Sequence, residues 1–229
     1  MRIVVLGAGG HARVIADAIL NDASVDGRLD LVGFLDDDPM LLNRRFLGRP
    51  VLGSFADLGN VPHDAVVVGI GDNETRRRLF EELESKGENL VTVIHPHARI
   101  AHDVNINKGT VIFAGTIVNT GSVIGKNVIL NTGCTVDHDC GVHSHAHVCP
   151  GAHLGGNVTV GEGAFLGIGC SISHGMKLGE WSTIGAGSVV IRDIAPEATA
   201  VGVPARELPP KPTKHKADTR DLDLFMGAE

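Results

Sequence analysis

His138 stands between two carboxylates, Asp137 and Asp139. A carboxylate that accepts a hydrogen bond from one ring nitrogen fixes the imidazole tautomer and makes the other nitrogen a better proton acceptor. That is the equipment of a general base. Four more histidines (His143, His145, His147 and His153) follow closely; on an outer face each would ordinarily be a solvated side chain. Near the start of the chain, Gly7-Ala8-Gly9-Gly10-His11-Ala12 joins an apolar run, Arg2–Leu6, to a helical pattern over Val14–Leu20. A strand, a glycine turn and a helix present free backbone N–H groups and a helix dipole to a phosphate, although the same pattern also serves as a plain strand–helix corner. Four cysteines (Cys134, Cys140, Cys149 and Cys170) show no CxxC spacing, which argues against a metal knuckle or a redox pair.

The elements that hold these groups follow from a repeat. From Ile94 to Val190 every sixth residue is Ile, Leu or Val, 17 positions without a break in a chain that is 43% hydrophobic. Four residues after each of these, from Ala98 to Ser188, the side chain is small, apart from Met176. A period of six fits neither an α-helix nor a simple strand. Each unit reads as a short strand that points one aliphatic residue inward and then turns on a small one, with coils stacked about 4.8 Å apart. Cys134, Cys140 and Cys170 fall in the small register and are expected to be core thiols; Cys149 falls outside it.

This pattern resembles the hexapeptide-repeat transferases. The resemblance implies a left-handed parallel β-helix with three hexads per coil. Stepping three hexads at a time, His138 lies under Gly156, and Gly156 under His174. A glycine there is expected to leave a gap beside the imidazole, about one coil spacing high, into which a thin ligand such as a pantetheine arm fits.

Ahead of the repeat, further strands are expected at Leu31–Leu35, ending in Asp36-Asp37-Asp38, and at Ala65–Ile70, followed by Gly71-Asp72-Asn73 and a helix over Glu74–Lys86. Alternating strands and helices indicate an α/β, Rossmann-like parallel sheet with ligand-facing loops at the strand ends. Asp36 and Asp37 come too late after the glycine turn for an NAD site, and the segment is short, so a single nucleotide or nucleotide sugar fits better. The expected organisation is a nucleotide-sugar-binding domain over 1–93, a β-helix over 94–206 and a polar tail over 207–229 with a Leu222–Met226 cluster.

Composition narrows the function classes. The 229 residues carry 20 Lys and Arg against 27 Asp and Glu, a net charge of −7 with no basic block, so neither a nucleic-acid nor a membrane partner is expected. With 30 Gly, no Tyr and one Trp, the core must be aliphatic and the corners tight. No signal peptide or membrane span is recognised, which makes a cytoplasmic location with reduced thiols the expectation.

The segments GAGGHARV, FLDD, GIGDNETRR, IHPHA, NTGCTVDHDC, SHAHV, FLGIG, IGAGSVV and VGVPAR occur in this order between residues 3 and 206. Together they resemble the bacterial N-acetyltransferases of nucleotide-activated amino sugars, of the bacillosamine, perosamine and sialic-acid-operon kinds. The resemblance implies a homotrimer with acetyl-CoA lying between neighbouring β-helices. It makes His138 the general base, Asp139 the residue that raises its basicity, and Asn131 an active-site asparagine. It places His147, Ile168 and Ala186 along acetyl-CoA, and Gly9, Gly10, His11, Asp36, Asp37 and Gly71 around the nucleotide of the sugar substrate. Two other readings remain open. His102, His138 and His143, separated by 36 and 5 residues, match the ligand spacing of γ-type carbonic anhydrases. A trimeric scaffold without turnover is the third.

Overall fold

The structure is a computed structural model that describes residues 1–26 and 29–209; the Leu222–Met226 cluster and the tail from residue 210 lie outside the described residues. The chain begins with β1 (Arg2–Leu6), α1 (Gly10–Asp26), β2 (Asp30–Leu35), β3 (Arg45–Phe46), β4 (Arg49–Gly53), β5 (Ala65–Val68) and α2 (Asn73–Ser85). The sheet order is β3-β4-β2-β1-β5, parallel except for β3 against β4. Apolar residues fill β1 and β5 on both faces because helices and loops cover both. The β3–β4 hairpin is an element that the alternation of strands and helices did not predict, β3 being only two residues long and β4 carrying Pro50 near its start.

Two glycines bring the strand ends close together. Gly7 has a φ of +103°, and a Cβ there would meet the Gly69 carbonyl at 3.0 Å. A Cβ on Gly69 would stand 2.8 Å from that of Ala12, so its absence lets α1 close on β5.

Seventeen two-residue strands then run from β6 (Val93–Ile94) to β22 (Val189–Val190). Every third one pairs in parallel, which builds three flat faces. The first face carries β12 (Ile129–Leu130), β15 (His147–Val148), β18 (Phe165–Leu166) and β21 (Thr183–Ile184). The second carries β13 (Thr135–Val136), β16 (His153–Leu154) and β19 (Ser171–Ile172), and the third carries β14 (Gly141–Val142) and β17 (Thr159–Val160). An antiparallel hairpin, β23 (Thr199–Gly202) and β24 (Ala205–Glu207), extends the first face at its far end.

The predicted inward rows form one core. From Ile112 to Val190 the six-step residues are buried, each contributing about 1.5–3 kcal/mol. The first coil departs from the expectation: Ile94 is exposed and Ile100 and Ile106 are half-buried, because an end coil lacks a neighbour on one side. The hydroxyls of Thr110, Thr116 and Ser122 in the small register are satisfied by the coil itself, as where Ser122 Oγ donates to the Asp137 carbonyl at 2.9 Å, whereas the buried Ser182 hydroxyl finds no partner.

The N-terminal unit packs on the first face, where Val93, Val111, Phe113 and Ile129 share a core with β1 and α1. Helix α2 lies along the corner between the third and first faces. There Asn127, His145, Gly163 and Trp181 occupy the left-handed turn position of successive coils. Asn73 Nδ2 donates to the Gly163 carbonyl (2.9 Å), Arg77 stacks on Trp181, and Phe80 packs edge-on against His145. Arg76, 1% exposed, donates to Ile70 and Gly71 on one side and to Asn127, His145 and Ala146 on the other, all backbone carbonyls. Burial lowers its pKa to about 9, against the opposing charge of Asp72, and still leaves it cationic at neutral pH. Among the described residues no helix is long and apolar enough to cross a membrane.

Replacing Arg76 with Leu strands carbonyls from both domains in a dry seam. Urea unfolding is expected to show a loss of about 3 kcal/mol or more; a change below about 1 kcal/mol contradicts the clamp.

Candidate active site

The turn chemistry of the β-helix delivers the carboxylate to the imidazole. At the corner between the second and third faces each coil needs one left-handed residue, supplied by Gly121 (φ +73°), Asp139 (φ +58°) and Asn157 (φ +60°). Asp tolerates that conformation, and at 139 it sets its Oδ2 2.9 Å from His138 Nδ1. Asp137 is engaged differently, since its Oδ1 accepts from the His138 backbone N–H (2.8 Å) and from Asn119 Nδ2 (2.8 Å). The hydrogen bond to Asp139 is the main cause that raises the His138 pKa above the ordinary value; desolvation opposes it, and the charges of Asp137 and Asp139 add to the rise. With Nδ1 committed, Nε2 is the nitrogen left to take a proton.

Gly156 corrects the expected gap. A Cβ there would stand 2.5 Å from both Cε1 and Nε2 of His138, so the space is taken by the imidazole itself. The glycine is needed to let the ring lie against the next coil.

A second cluster sits on the first face, at the seam between the two units. Asn131 Nδ2 donates to His147 Nε2 at 3.1 Å. The His147 ring lies 6.1 Å from that of His11 and 5.3 Å from that of Phe165, and His11 packs edge-on against Phe113 at 5.4 Å. Burial depresses both imidazoles, to about 3 for His147 and about 4 for His11, with the Arg76 charge acting the same way. Both are neutral at physiological pH, so neither resembles the exposed His138. His11 Nε2 is buried with no partner, and His147 Nδ1 faces the Gly71 backbone without a well-formed hydrogen bond. Both nitrogens lie buried at the seam without a full hydrogen bond from the chain.

The strand-end loops open on the same seam. A Cβ on Gly9, Gly10 or Gly71 would meet nothing within 4 Å. Asp36 has a structural role in addition: Oδ2 accepts from Ala8 N (2.7 Å) and Oδ1 from Asp38 N (2.9 Å). It braces the glycine turn. Asp37 Oδ1 likewise accepts from Phe55 N at 2.9 Å.

Ile168 and Ala186 lie one coil apart on the corner between the first and second faces, both exposed. No protein acceptor among the described residues takes either backbone N–H. A Cβ on Gly167 would strike Ala186 N at 2.7 Å, so glycine is required there. Within one chain this corner adjoins the seam with Asn131 and His147, whereas His138 stands at the next corner, one face away. The sequence-derived residues therefore form two groups.

The remaining histidines sort by burial. His143 is exposed on the third face, and His145 is buried under α2, its Nδ1 2.9 Å from Asn127 Nδ2. His102 and His138 share a corner with the Thr120 coil between them, and no group of three His, Cys, Asp or Glu among the described residues could hold a metal ion. All four cysteines are buried free thiols; Cys149, which the repeat did not place, is pushed up to about 12 by burial, as is Cys134. They lack the thiolate character of a nucleophile. Arg76, Phe113 and Phe165 were missed by sequence reasoning; only the charged GIGDNETRR segment pointed toward the first.

Known proteins resemble both units of the chain. Residues 2–83 match the PglD N-terminal domain, and residues 157–192 match the bacterial transferase hexapeptide (six repeats). The chain is 36% identical over 116 residues to UDP-N-acetylbacillosamine N-acetyltransferase of Bacillus subtilis (strain 168), an alignment that spans 49% of this chain and about half, 51%, of that protein. The acetyltransferase domain of PglB from Neisseria gonorrhoeae FA1090, solved in complex with acetyl coenzyme A, is 35% identical with a TM-score of 0.84, covering 90% of this chain and 98% of that one. A histidine-to-alanine mutant of GDP-perosamine N-acetyl transferase from Caulobacter crescentus, in complex with CoA and GDP-perosamine, is 35% identical with a TM-score of 0.85, covering 91% and 97%.

Asp139→Asn removes the charge and the acceptor that hold the His138 proton. NMR titration of the His138 ring is expected to show its pKa falling; an unmoved midpoint would separate Asp139 from the base.

Proposed function

Because the chain belongs to the hexapeptide-repeat N-acetyltransferases that carry a PglD N-terminal domain, we propose that it moves the acetyl group of acetyl-CoA to the 4-amine of a nucleotide-activated deoxy-amino sugar. The observation that carries this reading is the His138–Asp139 pair, 2.9 Å apart on an exposed corner of the left-handed β-helix. An ammonium cannot attack a thioester, so a proton leaves the nitrogen as the C–N bond forms. His138 Nε2 accepts it, and Asp139 steadies the imidazolium. The thioester carbonyl collects negative charge as the amine adds; a free backbone N–H on the Ile168–Ala186 corner stabilises it. The tetrahedral adduct then expels the CoA thiolate. Nothing covalent forms on the enzyme, in keeping with four buried, protonated thiols.

The nucleotide is held by the glycine turn, with Gly9, Gly10 and His11 facing it and Gly71 closing from β5, while Asp36 and Asp37 shape the loops. Asn131 and His147 meet the ligands at the seam. His138 lies one face away, so a single chain does not unite the base with the seam. A homotrimer, in which one subunit's His138 corner faces the neighbour's Asn131–Ile168–Ala186 edge, brings them together and places acetyl-CoA between β-helices. Four free thiols favour a reducing, cytoplasmic setting, with glycan assembly as the consumer of the acetylated sugar.

Thiol release from acetyl-CoA, followed over a panel of nucleotide-4-amino sugars, tests the activity against both the metal-hydrase and the scaffold readings. Turnover of one panel member is expected, and His138→Ala should lower kcat by about 100-fold or more with little change in nucleotide-sugar affinity. Near-normal kcat removes His138 from the role.

A further inference from the structure

Thr120, His138, Gly156 and His174 occupy equivalent places at one corner of four successive coils. Their neighbours donate to adjoining coils, as Asp137 N does to the Leu154 carbonyl and Asp139 N to that of Thr120. No backbone carbonyl among the described residues takes the amide of any of the four. His138 differs from the other three in having a side-chain acceptor, Asp137 Oδ1 at 2.8 Å. The residue before the corner is Asn119, Asp137, Gly155 and Ser173 in turn, and at 137 its side chain folds back onto the following amide. Within the β-helix the same bond recurs at Asn131, whose Oδ1 accepts from Thr132 N at 2.8 Å. Both places carry residues assigned to the site.

Asp137 is itself tied down. Asn119 Nδ2, from the preceding coil, donates to the same Oδ1 at 2.8 Å. The bond from Asn119 first, and that from His138 N second, hold Asp137 below the usual carboxylate range, so it stays an anionic acceptor at neutral pH. Asp103, on the coil before, is spent on Thr120 Oγ1 (2.7 Å) and Gly121 N (3.1 Å). The His138 ring is exposed, so packing alone does not hold it. Its contacts are Asp139 at Nδ1 and Gly156 beneath. The titratable groups around it are Asp137 and Asp139 on its own coil, the buried Cys140 thiol near its carbonyl, and His174 beyond Gly156.

We propose that Asp137, locked by Asn119, is the positioning residue of the base: together they fix the backbone from which the His138 ring projects and so hold Nε2 in line for the substrate amine. Neither residue touches the reacting atoms. A ring swings about its own Cα, so a small turn of the corner backbone moves Nε2 further than it moves the chain, and reaction rates fall steeply with such misplacement. The two flanking carboxylates then have different tasks. Asp139 fixes the tautomer and raises the basicity, whereas Asp137 sets the aim. The inference rests on the acetyl-transfer reading.

The test measures kcat, both KM values and the NMR titration of the His138 ring in the full-length protein, with a nucleotide-4-amino sugar that the wild type turns over. Asp137→Asn keeps the acceptor and removes the charge, Asp137→Ala removes both, and Asn119→Ala removes the lock alone. Asp137→Ala is expected to lower kcat about tenfold or more, and Asn119→Ala about threefold with the His138 midpoint nearly unmoved. Asp137→Asn should recover most of the loss, although its His138 midpoint falls as it does in the alanine variant. KM for both substrates should stay near the wild-type values. If Asp137→Asn is as slow as Asp137→Ala, the charge matters and the positioning role is overturned. Wild-type kcat in Asp137→Ala, or a loss confined to KM, overturns it equally. Should Asp137→Ala fail to fold, Asn119→Ala decides: an unchanged kcat refutes the lock and the aim together. Those results leave the acetyl transfer standing, whereas absence of wild-type turnover with every panel member would refute that reading and the positioning role with it.

Discussion

Backbone pairing between coils is the interaction on which everything else depends. Ile117 pairs with Thr135, Thr135 with His153, His153 with Ser171 and Ser171 with Val189, and the same step recurs on the other two faces. Amides of one coil donate to carbonyls of the next, as Asn119 N does to Val136 and Asp137 N to Leu154. A slip of one residue would turn the inward Val136, Leu154 and Ile172 outward and lose a core worth about 1.5–3 kcal/mol per side chain. The register therefore cannot drift, and each corner becomes a column whose members are fixed by counting.

Three columns then divide the work. Asn127, His145, Gly163 and Trp181 receive α2, so the N-terminal unit is docked by hydrogen bonds to a rigid ladder rather than by a loose linker. Ile168 and Ala186 expose unpaired amides beside the seam. Thr120, His138, Gly156 and His174 make the corner of the proposed base. Because a coil has three corners, the base and the seam lie a face apart in one chain. The shape that gives the site its precision also prevents one subunit from completing it, which is the physical case for shared sites in the proposed trimer.

Local signals were legible in the sequence and long-range ones were not. The hexad announced the β-helix and its core because each inward residue is chosen by its own coil. The His138–Asp139 contact was readable for the same reason: neighbours in one tight corner must meet. By contrast, the bracing bonds of the Asp36 oxygens to Ala8 and Asp38 could not be read, because the first is set by the packing of β1 against β2. Gly156 was read as a gap because counting gives columns but not rotamers, and the ring of His138 fills that space. The role of Arg76 could not be read, since nothing in a helix with three consecutive arginines reveals which one will lie dry against five carbonyls of two domains. Cys149 and His145 could be placed only once the corner under α2 and the domain seam were known.

The central claim, that catalysis needs the His138 corner of one chain and the nucleotide seam of another, is tested most directly by subunit mixing. His138→Ala lacks the proposed base. Gly10→Asp, at a position where a Cβ meets nothing within 4 Å, sets a carboxylate against the substrate phosphate. Each variant alone should be nearly inactive. Unfolded and refolded together in equal amounts, they should recover about a quarter of the wild-type activity, because a site with an intact base from one parent and an intact seam from the other arises at that frequency in random assembly. Activity no greater than that of the separate parents would place both halves of the site in the same chain and contradict the account.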